Sequence, residues 1–68
     1  MTGEERRDLE ATLARLRQEH RDLDAAIEAL HEMPGADVIQ LQRLKKRKLS
    51  LRDRIKFIED QLTPDIIA

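Results

Sequence analysis

Leu30-His31-Glu32-Met33-Pro34-Gly35-Ala36-Asp37-Val38-Ile39-Gln40-Leu41 is the stretch on which the fold turns. Proline disfavours helical geometry in the residue before it, and glycine accepts the positive φ that a tight reversal needs, so a helix arriving from the N-terminal side ends near Glu32. Carrying one helix through this stretch would put Pro34 and Gly35 in its interior, at about 3 and about 1 kcal/mol respectively. Asp37, with Gln40 three residues later, is a capping pattern that starts a new helix.

The sequence on either side repeats with helical spacing. Upstream, Leu9, Leu13, Leu16, His20, Leu23, Ile27 and Leu30 recur in alternating steps of four and three, the average of 3.5 residues that keeps one seam facing a partner helix. Thr2 with Glu5 supplies a capping box at its start: the hydroxyl accepts from an exposed backbone N–H and the carboxylate reaches back to the cap. Downstream, Leu41, Leu44, Lys48, Leu51, Ile55, Ile58 and Leu62 resume the alternation, and Thr63-Pro64 closes it. The pattern predicts a single all-α domain over residues 1–68. Its helices run over about 3–32 and 37–62, with a turn at 33–36 and a tail at 63–68 that carries the apolar pair Ile66-Ile67.

The two seams match each other in one register. In an antiparallel pair, facing residues have a constant sum of numbers, and Leu30 with Leu41, Ile27 with Leu44, Leu23 with Lys48, His20 with Leu51, Leu16 with Ile55, Leu13 with Ile58 and Leu9 with Leu62 all sum to 71. A linker of a few residues joins helices as antiparallel neighbours, so the expected fold is an antiparallel two-helix coiled-coil hairpin. Among flanking charges, this register brings Asp24 towards Lys45 or Arg52 and Glu19 towards Arg54, but sets Arg17 near Arg52 and Glu10 near Glu59. Exposed pairs contribute about 0–1 kcal/mol each, so the apolar match carries the assignment.

Composition narrows the function. A chain of 68 residues rarely builds a self-sufficient core without disulfides, a metal or a partner subunit, and this one has no cysteine. Assembly into a dimeric four-helix bundle or a higher oligomer is therefore expected, helped by Val38 and Leu49 beside the second seam and by the small residues Ala14, Ala25, Ala26 and Ala29 in helix one. Phe57 is the single aromatic residue, which argues against base-stacking on single strands and against a walled small-molecule pocket. No apolar run is long enough to cross a bilayer, and the N-terminal residues lack the apolar stretch of a secretion signal, so the cytoplasm is the expected compartment.

Chemistry has little to work with. His20 and Lys48 are the two polar seam positions. They read either as a polar site, pH-sensitive or anion-binding with Asp24 one turn from His20, or as register-fixing residues, Lys48 extending its ammonium to water. His20 and Asp24 make at most half a metal site, with His31 about three turns further along, and no HExxH spacing occurs. Ser50 has no glycine-rich elbow or triad order around it, and Gly3 and Gly35 are too few for a phosphate loop. No catalytic, cofactor or metal residues, and no small-molecule substrate, are expected.

Charge gives the second functional reading. The net charge of −1 hides a division: residues 1–37 hold ten acidic and five basic side chains, whereas residues 43–56 hold eight basic ones against Asp53 alone. Arg43, Lys45, Lys46, Arg47, Arg52, Arg54 and Lys56 are candidate contacts for an anionic partner, and basic side chains on a helix grip phosphates without reading sequence. A helix spreads them round its circumference, however, and no base-reading motif accompanies them. The leading expectation is an oligomeric interaction module with an unidentified protein partner; a nucleic-acid-associated protein is the alternative.

Leu44-Lys45-Lys46-Arg47-Lys48-Leu49-Ser50-Leu51-Arg52-Asp53-Arg54-Ile55, with Glu19-His20-Arg21-Asp22-Leu23-Asp24-Ala25-Ala26-Ile27 upstream, resembles the YdcH-like family of short bacterial proteins. The shared pattern is a histidine before Leu-Asp-x-x-Ile in helix one and a Leu-Lys-Lys-x-Lys-Leu-x-Leu-(Lys/Arg)-Asp-x-Ile run in helix two, and the likeness covers roughly residues 9–62. It implies a short helical hairpin of the bacterial cytoplasm, of uncharacterised function and with no catalytic residues to transfer. It places His20, Asp24, Lys48 and Asp53 in a family pattern and leaves residues 63–68 outside it.

Overall fold

The computed structural model describes residues 2–63, so Ile66 and Ile67 lie outside the described residues. Two α-helices, α1 (Gly3–Glu32) and α2 (Val38–Leu62), pack against each other, and no strand occurs among the described residues.

Each helix start is satisfied locally. Thr2 Oγ1 accepts from Glu5 N at 3.1 Å; the return bond from the Glu5 carboxylate expected of a full capping box is not made, and this exposed carboxylate is left to solvent. Asp37 Oδ1 accepts from Ile39 N at 2.9 Å and from Gln40 N at 3.4 Å. Asp37 is the cap and Val38 the first helical residue of α2. Asp37→Ala should cost about 1 kcal/mol, read as a lower urea midpoint with an unchanged slope.

The reversal is a β-turn. Ala36 N donates to Met33 O at 3.3 Å, Pro34 sits at the second position and Gly35 at the third with φ +77°. That is the type II arrangement, in which proline presets the first central φ and glycine takes the positive one. At the other end, both the backbone N–H and the hydroxyl of Thr63 donate to Glu59 O, at 3.0 and 2.8 Å, closing α2.

Packing follows the seam. Leu13, Leu16, Ile27, Leu51, Ile58 and Leu62 are buried, and Leu9, His20, Leu23, Leu30, Leu41, Leu44, Lys48 and Ile55 are half-buried. Outside these positions only Thr12, Glu19, Ala36 and Glu59 are withdrawn from solvent among the described residues. The core is weighted towards the open end of the hairpin: Leu13, Leu16, Leu51, Ile58 and Leu62 form one cluster, with Leu9, Leu23 and Ile55 packed against it. Ile27 is buried separately, on the turn side of the polar residues His20 and Lys48.

One clasp has no counterpart in the hydrophobic pattern. Arg6 Nη1 donates to Leu62 O at 3.4 Å, so a cation from the first turn of α1 satisfies a carbonyl at the end of α2. Carbonyls of the last turn have no partner within their own helix, and a cation there also meets the negative end of the helix dipole. An arginine in the first turn of α1, opposite the α2 C-terminus, is the signal that could have disclosed it.

Candidate functional site

The seam fixes which residues lie on each flank of the hairpin, and the ion pairs between the helices mark the flanks. On one, Arg17 Nη2 meets Glu59 Oε2 at 2.6 Å. Next to it lies an open groove of about 410 Å³ lined by His20, Ile27, Lys45, Lys48, Leu49 and Arg52. On the other, Arg47 reaches Glu19 at 4.0 Å, and a second groove of about 410 Å³ is lined by Leu9, Asp53, Arg54, Phe57, Ile58 and Gln61.

These pairings correct the sequence-based ones. Asp24 pairs with Lys48 instead of Lys45 or Arg52, Glu19 with Arg47 instead of Arg54, and Arg17 with Glu59, so Glu59 does not face Glu10 unopposed. The Cα–Cβ bond tilts towards a helix's own N-terminus, so in an antiparallel pair Arg17 leans towards the C-terminal end of α2 and meets Glu59, one heptad beyond Arg52. Arg47 lies one heptad before Arg54, and its guanidinium bridges that distance only loosely.

Lys48 leaves the seam, as its length allows, but its ammonium ends on the Asp24 carboxylate rather than in open water. The hydrogen bond from Lys48 holds the Asp24 carboxyl below its usual range, against some opposing desolvation and with help from the charges of Lys48 and His20. A lowered folded-state pKa means that ionised Asp24 favours the fold above its ordinary pKa, and that this contribution disappears as pH falls through the lowered value. Asp24→Asn should therefore melt below the native protein at neutral pH, and acid titration of the melting temperature should bring the two curves together below about pH 4.

His20 is half-buried beside Lys48 and lines the same groove, with Ile27 and Leu49 as its apolar members. No group of three or more His, Cys, Asp or Glu residues suited to a metal ion occurs among the described residues. The seven candidate anion contacts, Arg43, Lys45, Lys46, Arg47, Arg52, Arg54 and Lys56, are all exposed, but the fold does not bring them together. Lys45 and Arg52 line one groove and Arg54 the other, while Arg47 is engaged by Glu19 and Arg52 by Asp53 at 3.6 Å.

Apolar side chains remain outside the seam. Val38, Ile39 and Met33 are exposed around the turn end, Leu49 is 50% exposed in the first groove, and Phe57 is 63% exposed in the second. The seam spacing sets Phe57 and Ile39 outside the seam, as scattered surface apolars or minor interface contacts; Phe57 shares a groove with Leu9 and Ile58 and so stands beside the main core cluster.

No described helix is long and apolar enough to cross a membrane. Comparison with known proteins agrees with the resemblance read from the two motifs. No curated protein and no solved structure matches the chain. A family model described as "Protein of unknown function (DUF465)" matches residues 13–59, which hold every seam residue except Leu9 and Leu62, the turn and the His20, Asp24 and Lys48 cluster. The chain therefore belongs to the DUF465 family, the family that contains the YdcH-like proteins.

Proposed function

We propose that the hairpin is a non-enzymatic interaction module of the cytoplasm that assembles with copies of itself and presents its charged faces to a protein partner. The observation that carries this reading is the contrast between six buried apolar side chains and the five large ones left exposed, Met33, Val38, Ile39, Leu49 and Phe57. A two-helix seam covers each helix on one side only, and a chain this small gains its missing burial by association. The reading requires no cofactor, metal or small-molecule substrate. It is tested by circular-dichroism melting over a concentration series. A module stabilised by association melts higher as protein concentration rises, by mass action. A melting temperature independent of concentration would count against it.

Binding to a nucleic-acid backbone is the second reading, favoured by the exposure of Arg43, Lys45, Lys46, Arg54 and Lys56 without an ion-pair partner among the described residues. It predicts duplex binding that weakens steeply with salt, because each phosphate contact releases a counterion. Assembly anchored by apolar surface should weaken far less steeply over the same range, by no more than the screening of its exposed charge pairs. The acidic side chains of α1 beside these cations make it the weaker reading.

A further inference from the structure

We propose that a second copy of this chain docks on the flank that carries Phe57, with α2 of each copy lying against α1 of the other. The proposal rests on the assembly reading above and adds which face is used and how the copies are turned.

The two flanks differ in charge. On the Phe57 flank, α2 presents Arg43, Arg47 and Arg54 in the same stripe as Phe57, against Asp53, which borders the groove and is drawn to Arg52 at 3.6 Å. Facing outward from α1 on that flank are Glu5, Asp8, Glu19 and Asp22, opposed by Arg15 alone. The Arg47–Glu19 pair crosses this flank and shows that the cationic and anionic stripes run side by side at matching height. That flank is basic along one edge and acidic along the other, hence complementary to itself when turned over.

The opposite flank is not. Its α1 stripe mixes Glu10, Asp24 and Glu28 with Arg7, Arg17 and Arg21, whereas its α2 stripe is cationic through Lys45, Arg52 and Lys56 against Glu59. A second copy there would set cations against a balanced surface, and its groove suits a different, acidic partner.

Complementarity also selects the arrangement. Packing α2 on α2 would press Arg43, Arg47 and Arg54 against their own copies, and like charges brought together oppose association. A two-fold axis parallel to the helices instead sets α2 of each copy against α1 of the other, antiparallel, and keeps every residue at its own height along the bundle. Glu19 already lies at the height of Arg47 within the chain, so the same pairing recurs between chains. Arg47 is held only loosely at 4.0 Å and Arg54 has no ion-pair partner among the described residues, so both are available.

The apolar contribution comes from Phe57. It lies at the open end of the hairpin in a groove of about 410 Å³ with Leu9 and Ile58, at the height of Thr12 on the facing α1, while the small α1 residues Ala26 and Ala29 admit a close neighbour at the turn end, at the height of Arg43. A standard interface covers about 800 Å² per partner, a modest share of the 5610 Å² surface of the chain.

The test is sedimentation velocity on the full chain over a concentration series, with helicity followed in parallel. Two charge-reversed chains are used: Arg47→Glu with Arg54→Glu, and Glu19→Arg with Asp22→Arg. The native chain should sediment as a dimer, each reversed chain as a helical monomer, and an equimolar mixture of the two as a dimer again. Phe57→Asp, at a position already exposed and so tolerated by the fold, should weaken dimerisation at least about tenfold, as expected for an aromatic anchor. Dimers that persist in both reversed chains and in Phe57→Asp would overturn this face while leaving assembly standing. A mixture that stays monomeric would overturn the α1-to-α2 pairing. A native chain that is monomeric throughout would sink the assembly reading itself.

Discussion

Leu16→Ala should remove most or all of the stability of the isolated chain. Leu16 is the most deeply buried side chain, 2% exposed, and sits in the cluster with Leu13, Leu51, Ile58 and Leu62. Truncating a buried leucine costs about 3–5 kcal/mol through lost transfer energy and the cavity left behind. A hydrophobic core in a chain this short rarely supplies more than about 3–5 kcal/mol in total. Chemical denaturation followed by circular dichroism should show the cooperative transition collapsing towards zero denaturant. Ile39→Ala, at a position 61% exposed, should stay within about 0.5 kcal/mol of the native protein. Equal effects from the two substitutions would mean that the seam is not the core.

Lys48→Leu should act in the opposite direction, raising stability by about 1–2 kcal/mol. Lys48 is half-buried in a seam otherwise made of leucine and isoleucine apart from His20, and leucine would bury apolar surface there. What is lost is an ion pair with Asp24, whose side chain is about half exposed, and such pairs contribute about 0–1 kcal/mol. Asp24 stays in contact with water, so no buried charge is stranded. For a domain of this size the gain corresponds to a melting temperature higher by about 4–8 °C per kcal/mol. The expected cost is specificity: a polar residue in a seam fixes register and oligomer state, so the variant should populate mixed assemblies by light scattering. A lower melting temperature would assign Lys48 and Asp24 a larger structural role than their exposure suggests.

What could be read from the sequence divides along energetic lines. The Pro34-Gly35 break, the Asp37 cap and the 3.5-residue alternation each involve backbone geometry or several kilocalories of burial, and they lead to the two packed helices and the turn between them. The partners of Asp24, Glu19 and Arg17 were not legible, because pairs worth a kilocalorie or less are decided by side-chain length and by the tilt of Cα–Cβ bonds. Those pairs reorganise the picture of the basic segment. A one-dimensional count shows eight cations in residues 43–56, whereas the hairpin separates them: Lys45, Lys48 and Arg52 line the groove with Leu49, and Arg54 lines the groove with Phe57 on the other flank. His20 and Lys48 stood out in the sequence as breaks in the seam, but that Lys48 ends on Asp24 depends on the other helix being present.

The most direct test of the account is solution mass by light scattering across a concentration series, at low and high salt, with and without a generic duplex DNA. A mass of twice the 7.9 kDa chain or a higher multiple is expected at working concentrations, falling only modestly with salt as the exposed charge pairs are screened, and indifferent to DNA. A particle that stays at 7.9 kDa throughout and gains mass only with DNA at low salt would contradict it, and would move the function to the basic face of α2.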